Sequence, residues 1–224
     1  MRPLLPALAV LGLAGTLGTA NAAPIVATST LIWNAMTPGD PSGTGPEQKA
    51  LPGNPIMIPG NLVPITAGGT GGINFDQPSG GSMIADFLNT GAPGYTYTCA
   101  ACATTIISQS GFAQVSLFEF KFTAASNGTL NIEHDDGVSL FKDGDTITDL
   151  LPVSDADPTV ETPSSVSLTG GQVYDLFYAE DNGLPAVLTT DFVAVATPEP
   201  ASLTLLGAAL IGFGWIVRRR RLDT

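Results

Sequence analysis

The chain has 224 residues and a formal net charge of −12. Between Ala23 and Thr197 lie 18 acidic residues against three lysines (Lys49, Lys121 and Lys142) and no arginine. Such a surface repels nucleic acid and anionic lipid, which excludes both as partners of this part. One histidine, His134, and two cysteines, Cys99 and Cys102, are too few ligands for a zinc centre.

The chain opens on a secretory signal peptide, expected over residues 1–22. Arg2 supplies the positive start, residues 4–17 the apolar core, and Ala20-Asn21-Ala22 the small residues for cleavage, so Ala23 becomes the new N-terminus. Residues 23–197 then form one exported domain of ordinary size. A first strand is predicted over 27–33, rich in β-branched and aromatic residues. Residues 38–94 are dense in glycine and proline, and are expected to be loop-heavy with short strands near 56–58 and 62–65 and one helical turn near 83–88. Cys99 and Cys102 sit in a Cys-x-x-Cys spacing; in an exported chain this predicts a small-loop disulfide. A redox site would need the motif at a helix start in an alternating strand–helix chain, and glycine, proline and threonine dominate here instead.

The pattern sharpens beyond Thr104. Over 115–122 Phe118, Phe120 and Phe122 share one face while Glu119 and Lys121 share the other, the period of two of a half-buried strand. Asn127-Gly128 turns the chain; the same turn accounts for the Asn127-Gly128-Thr129 glycosylation-type triplet. Strands follow over 129–134 and 138–142, with Asp135-Asp136-Gly137 between them in what reads as a hairpin, and Asp143-Gly144 as a second hairpin-type turn. Residues 149–163 are acidic, proline-bearing loop. Strands over 173–179, with Tyr174, Leu176 and Tyr178 on one side, and 186–196 close the domain. Many short strands between glycine turns, with no helical period outside the two ends, predict an all-β fold: an antiparallel β-sandwich or jelly roll.

At the C-terminus, Pro198-Glu199-Pro200 is held extended by its prolines. Residues 201–217 form an uncharged apolar run, a membrane helix at the short end of the spanning range, roughly 17–25 residues. Arg218, Arg219, Arg220 and Arg221 hold its far end in the cytoplasm. This order of tripeptide, apolar helix and arginine cluster resembles the PEP-CTERM sorting signal of Gram-negative bacteria. The resemblance implies a membrane-embedded processing partner, an exosortase, and cutting near Pro198-Glu199-Pro200. It also implies a precursor in the inner membrane with its domain in the periplasm, and final delivery to the cell surface or extracellular matrix.

Residues 132–144, with the downstream runs at 174–180 and 186–188, resemble the PA14-like β-sandwich family. In lectin-like members of that group an aspartate pair holds a calcium that in turn holds a sugar. Carried over, Asp135 and Asp136 become calcium ligands, with Asp181 or Asn182 completing the set. The residues themselves leave a second reading open, in which the two aspartates only shape a turn through backbone hydrogen bonds. His134 reads as a strand residue with a satisfied hydrogen bond. No Gly-x-Ser-x-Gly elbow or His-Glu-x-x-His motif is present, so no catalytic residues are assigned and the protein is expected not to be an enzyme. The leading expectation is a non-enzymatic structural or interaction protein of the surface, matrix or biofilm. The alternatives are a calcium-dependent adhesin for extracellular polysaccharide and, behind it, a secreted hydrolase.

Overall fold

The computed structural model describes residues 22–37, 45–151 and 160–195, together with 207, 209 and 210. The signal peptide as far as Asn21, Pro198-Glu199-Pro200, the arginine cluster and all but three residues of the expected membrane helix lie outside the described residues. Those three, Gly207, Ala209 and Leu210, are helical. Among the described residues no helix is long and apolar enough to cross a membrane.

Within the unit Ala20–Val195 the fold is all-β and every strand pair is antiparallel. The strands are β1 (Ala22–Ala23), β2 (Ala27–Met36), β3 (Thr66–Gly69), β4 (Asn74–Gln77), β5 (Tyr95–Thr98), β6 (Gln114–Thr123), β7 (Gly128–His134), β8 (Gly137–Lys142), β9 (Thr162–Leu168), β10 (Val173–Glu180) and β11 (Ala186–Ala194). One sheet has the order β1-β11-β7-β9 with β4 also on β11; the second has the order β2-β6-β10-β8; β3 and β5 make a small pair of their own. A short helix, α1 (Ile84–Asn89), lies between β4 and β5.

The inner faces are built by the period of two. Phe118, Phe120 and Phe122 of β6 and Tyr174, Leu176 and Tyr178 of β10 point inward from one sheet. Leu130 and Ile132 of β7 and Leu188 and Phe192 of β11 point inward from the other, and all are buried in one cluster. Phe87 of α1 plugs the middle, with ring centroids 5.2 Å from Phe118, 4.9 Å from Phe75 and 5.8 Å from Tyr178.

The outer face of the four-stranded sheet is also half covered. Trp33, Val115, Leu117, Phe141 and Phe177 form a second cluster with Ala50 and Ile56. The cover comes from the glycine- and proline-rich segment, in 3-10 turns rather than strands. Buried Asn54 braces it, donating to Glu47 O (2.9 Å) and Lys49 O (2.7 Å) while accepting from Ile56 N (2.9 Å). The strands expected near 56–58 and 62–65 are therefore absent, except for one isolated bridge from Leu62 to Trp33. Two short strands lie elsewhere in this segment, β3 and β4, and β5 follows directly after it.

The topology corrects the hairpins. From β6 to β11 each consecutive strand changes sheet, so β7 and β8 do not pair, nor do β10 and β11. Asp135-Asp136 is a corner between sheets, and so is the stretch that follows Glu180. β9 was also not expected: its Ser-rich sequence alternates, with Ser164 and Leu168 inward. The cut expected after Ala22 falls inside β1, so a chain beginning at Ala23 keeps only the second of the pairs Ala22↔Val193 and Ala23↔Phe192.

Candidate metal and ligand site

Two of the corners meet at one end of the sandwich. Register puts them there: Leu188 pairs with His134, Ala179 with Gly137, and Glu180 with Ser116. The inward alternation of β10 that buries Tyr174, Leu176 and Tyr178 continues for one more step and buries Glu180. Asp136, Glu180 and Asp181 are fully buried, and Asp135 nearly so.

Asp135, Asp136 and Glu180 each offer a carboxylate oxygen within 4.8 Å of the other two. Asp135 Oδ1 accepts from Val187 N (2.8 Å) and lies 2.7 Å from the Tyr178 hydroxyl, which is also 2.7 Å from Glu180 Oε2. That hydroxyl has one proton and cannot donate to both. Glu180 Oε1 accepts from Ser108 Oγ at 2.7 Å. Asp136 Oδ2 accepts from Asp181 N at 2.9 Å, but among the described residues nothing donates to Asp136 Oδ1.

Burial chiefly sets the electrostatics. It raises the Asp135 carboxyl to about 6, against the hydrogen bonds from Val187 and Tyr178. It pushes Asp136 well above the usual carboxylate range, helped by the charges of Glu180, Asp135 and Asp181. Glu180 is likewise raised, by burial and then by Asp135. Like charges held this close in a poorly solvated site cannot all ionise unless a cation balances them.

The residues fit such a cation. The donors are all oxygens and mostly carboxylates, the set a hard ion such as calcium takes. The donorless buried oxygen of Asp136 points to the same conclusion. Glu180 is the member of the carboxylate cluster that sequence reasoning missed; extending the Tyr174-Leu176-Tyr178 face by two residues would have found it. Asp181 joins the cluster through its backbone amide on Asp136. Asn182 lines an adjoining cleft of about 510 Å³, with Ser82, Ser108, Gln109, Ser110 and Leu184 among its walls.

His134 is fully buried. Its Nδ1 lies 2.6 Å from the Asp136 carbonyl, which can only accept, so Nδ1 carries the proton. That bond is the satisfied hydrogen bond expected of a strand histidine, while Nε2 is buried with no partner among the described residues. Burial lowers the pKa of the ring and keeps it neutral. Cys99 and Cys102 form a disulfide after β5, with Cα atoms 5.4 Å apart. Neither belongs to the acidic cluster.

Residues 196–221 match the PEP-CTERM protein-sorting motif. The chain carries a PEP-CTERM sorting signal. The PEP-CTERM tail marks an exported protein whose membrane-anchored precursor is processed. No curated protein matches the chain. Among solved structures the PEP-CTERM chain is similar to a PA14 sugar-binding domain from an RTX adhesin, at 15% identity and a TM-score of 0.44, over 76% of this chain and 90% of that one. It is similar to the PA14 domain of the antifreeze protein MpAFP, at 10% identity and a TM-score of 0.40, over 78% and 85% of the two chains. The epithelial adhesin 9 A domain from Candida glabrata, in complex with Galβ1-3GlcNAc, gives 12% identity and a TM-score of 0.41, over 81% and 91%. These likenesses are distant, and the chemistry of the site rests on its own residues.

Proposed function

We propose that this protein is a calcium-dependent, non-enzymatic binding domain for extracellular polysaccharide, displayed by its PEP-CTERM tail. The observation that carries the reading is Asp136: its fully buried Oδ1 has no donor among the described residues, and one of its carboxylate oxygens lies within 4.8 Å of oxygens from Asp135 and Glu180. Asp135, Asp136 and Glu180 would hold the calcium, whose part is to neutralise them and to offer open coordination positions to a hydroxylated ligand. Asn182, Gln109, Ser108 and Ser110 supply polar cleft walls of the kind that orient hydroxyls, and Ile106 and Leu184 supply apolar ones.

Under this reading the precursor sits in the inner membrane with its domain in the periplasm. An exosortase-type enzyme cuts near Pro198-Glu199-Pro200, and the product reaches the cell surface or matrix. The test of the site is glycan-array binding with calcium and with chelator. Chelator-sensitive binding that is lost in D135N/D136N is the expected result; binding indifferent to both would sink it, and no binding at all would return the protein to a purely structural matrix role. The localisation has a separate test. Deleting residues 198–224 should release the precursor from the inner membrane, and retention there would make the N-terminal segment the anchor.

A further inference from the structure

We infer that Ser108 is a positioning residue that ties the wall of the cleft to the buried carboxylates, so that a cation held by Asp135, Asp136 and Glu180 sets the shape of the ligand-facing loop. The inference rests on the calcium reading above and adds to it the route by which the cation reaches the cleft.

Ser108 is buried at 3% exposure, yet it stands between two very different surroundings. On one side its hydroxyl donates to Glu180 Oε1 at 2.7 Å, inside the acidic cluster. On the other it accepts from Gly183 N at 3.0 Å, and Ser108 and Gly183 both line the cleft. A hydroxyl has one proton. With that proton committed to Glu180, Ser108 can meet Gly183 only as an acceptor, so the two bonds have one compatible arrangement.

Ser108 is itself held firmly. Ile107 on its N-terminal side donates its amide to Ser82 O (2.8 Å) and accepts from Ser116 Oγ (2.5 Å). Gly183 has the freedom the tie needs. Its φ is +101°, a backbone conformation open to glycine but not to most side chains. A second bond, from Asp181 N to Asp136 Oδ2 at 2.9 Å, fixes the start of the same loop directly to a carboxylate. The loop thus reaches the cluster at two amides, one directly and one through Ser108.

The experiment uses the processed protein purified from export-competent cells, labelled with ¹⁵N and titrated with calcium chloride alone. Wild type should shift both the Asp181 and the Gly183 amide resonances over the calcium range that raises its melting temperature. In S108A the rise in melting temperature and the Asp181 shift should remain. The Gly183 shift should be lost, and its amide should exchange with solvent about fivefold faster, as the loss of one neutral hydrogen bond gives. S108T, which keeps the hydroxyl, should restore the Gly183 shift. S108C keeps the size with a poorer acceptor; it should behave as S108A does, and it replaces S108A if that variant does not fold.

A Gly183 shift equal in S108A and wild type would overturn the tie, as would an S108A protein that no longer responds to calcium at all. A wild-type protein that melts higher with calcium while Gly183 stays silent would sink the tie alone. A wild-type protein with no calcium response of any kind would sink the calcium reading and the tie with it.

Discussion

Two regions of this sandwich are equally dry and energetically opposite. Along β10, Tyr174, Leu176 and Tyr178 enter the core between the sheets; two residues further on, the same face delivers Glu180 to the acidic corner. In the first region burial stabilises by itself, since each apolar side chain removed from water contributes about 1.5–3 kcal/mol. In the second, burial takes solvation from carboxylates and returns little until a proton or a cation arrives. The comparison shows that one strand period builds both a core that stabilises the fold and a site held at a cost to it.

Breaking the first region should have the largest effect. Phe118→Ala removes a ring in contact with both Phe87 and Tyr178 and should cost about 3–5 kcal/mol, read as a lower denaturant midpoint. The second region sharpens the contrast through ligand and charge. Calcium at about 100 times its dissociation constant should stabilise wild type by roughly 2.7 kcal/mol, seen as a higher melting temperature that chelator reverses. Asp136→Asn should do the reverse of a core truncation: in chelator it raises stability, by about 1–3 kcal/mol, because folding no longer has to bury or protonate that carboxylate, and it abolishes the response to calcium. A drop in chelator stability would show that the carboxylate is structurally required even without a cation.

The pH dependence follows from the same cause. The Asp135 carboxyl is raised from its ordinary 3.8 to about 6 by burial. Between those values the folded chain binds more protons than the unfolded one, so without calcium stability falls as pH rises through that window. Asp136 and Glu180, raised well above the ordinary range, carry the fall further up. Melting curves in chelator should therefore show the highest stability near pH 4 and a decline that runs from there through pH 6 and beyond. A rise across that range would contradict the buried, balanced cluster. The smallest effect belongs to the surface: Lys121 contacts Asp143 (2.5 Å) and Asp175 (3.3 Å) at partial exposure, and Lys121→Met should change stability by less than about 1 kcal/mol.

What was legible in the sequence follows from locality. Strict alternation at Phe118-Phe120-Phe122 and Tyr174-Leu176-Tyr178 showed which faces are buried, because that period is a property of the strand alone. The tail was legible because its three parts act through composition and order. Pairing was not legible. Asp135-Asp136-Gly137 and Asp181-Asn182-Gly183 have the residues of tight turns, and nothing local says that they cross between sheets. Glu180 escaped because an acidic residue at a strand end reads as solvent-facing until the opposite corner is seen to cover it. The 45–62 cover escaped because its 3-10 turns have no period; its burial depends on Trp33, Phe141 and Phe177, contributed by three different strands.

The acidic corner stands at the start of β11, and the end of that strand is followed in sequence by the sorting segment. β11 begins beside Asp135, through Val187 N and Val187 O, and ends at Ala194, just before the sorting segment. Between them its pairing with β7 runs unbroken from Leu188↔His134 to Ala194↔Gly128, roughly 20 Å of ladder. A force applied between the corner and the end of β11 would run along the strand axis and at right angles to its hydrogen bonds. The ladder is then loaded in shear, with its bonds sharing the force instead of opening one after another. A pull between a ligand at the corner and the C-terminal end of β11 would meet the domain in the direction in which that strand is best held.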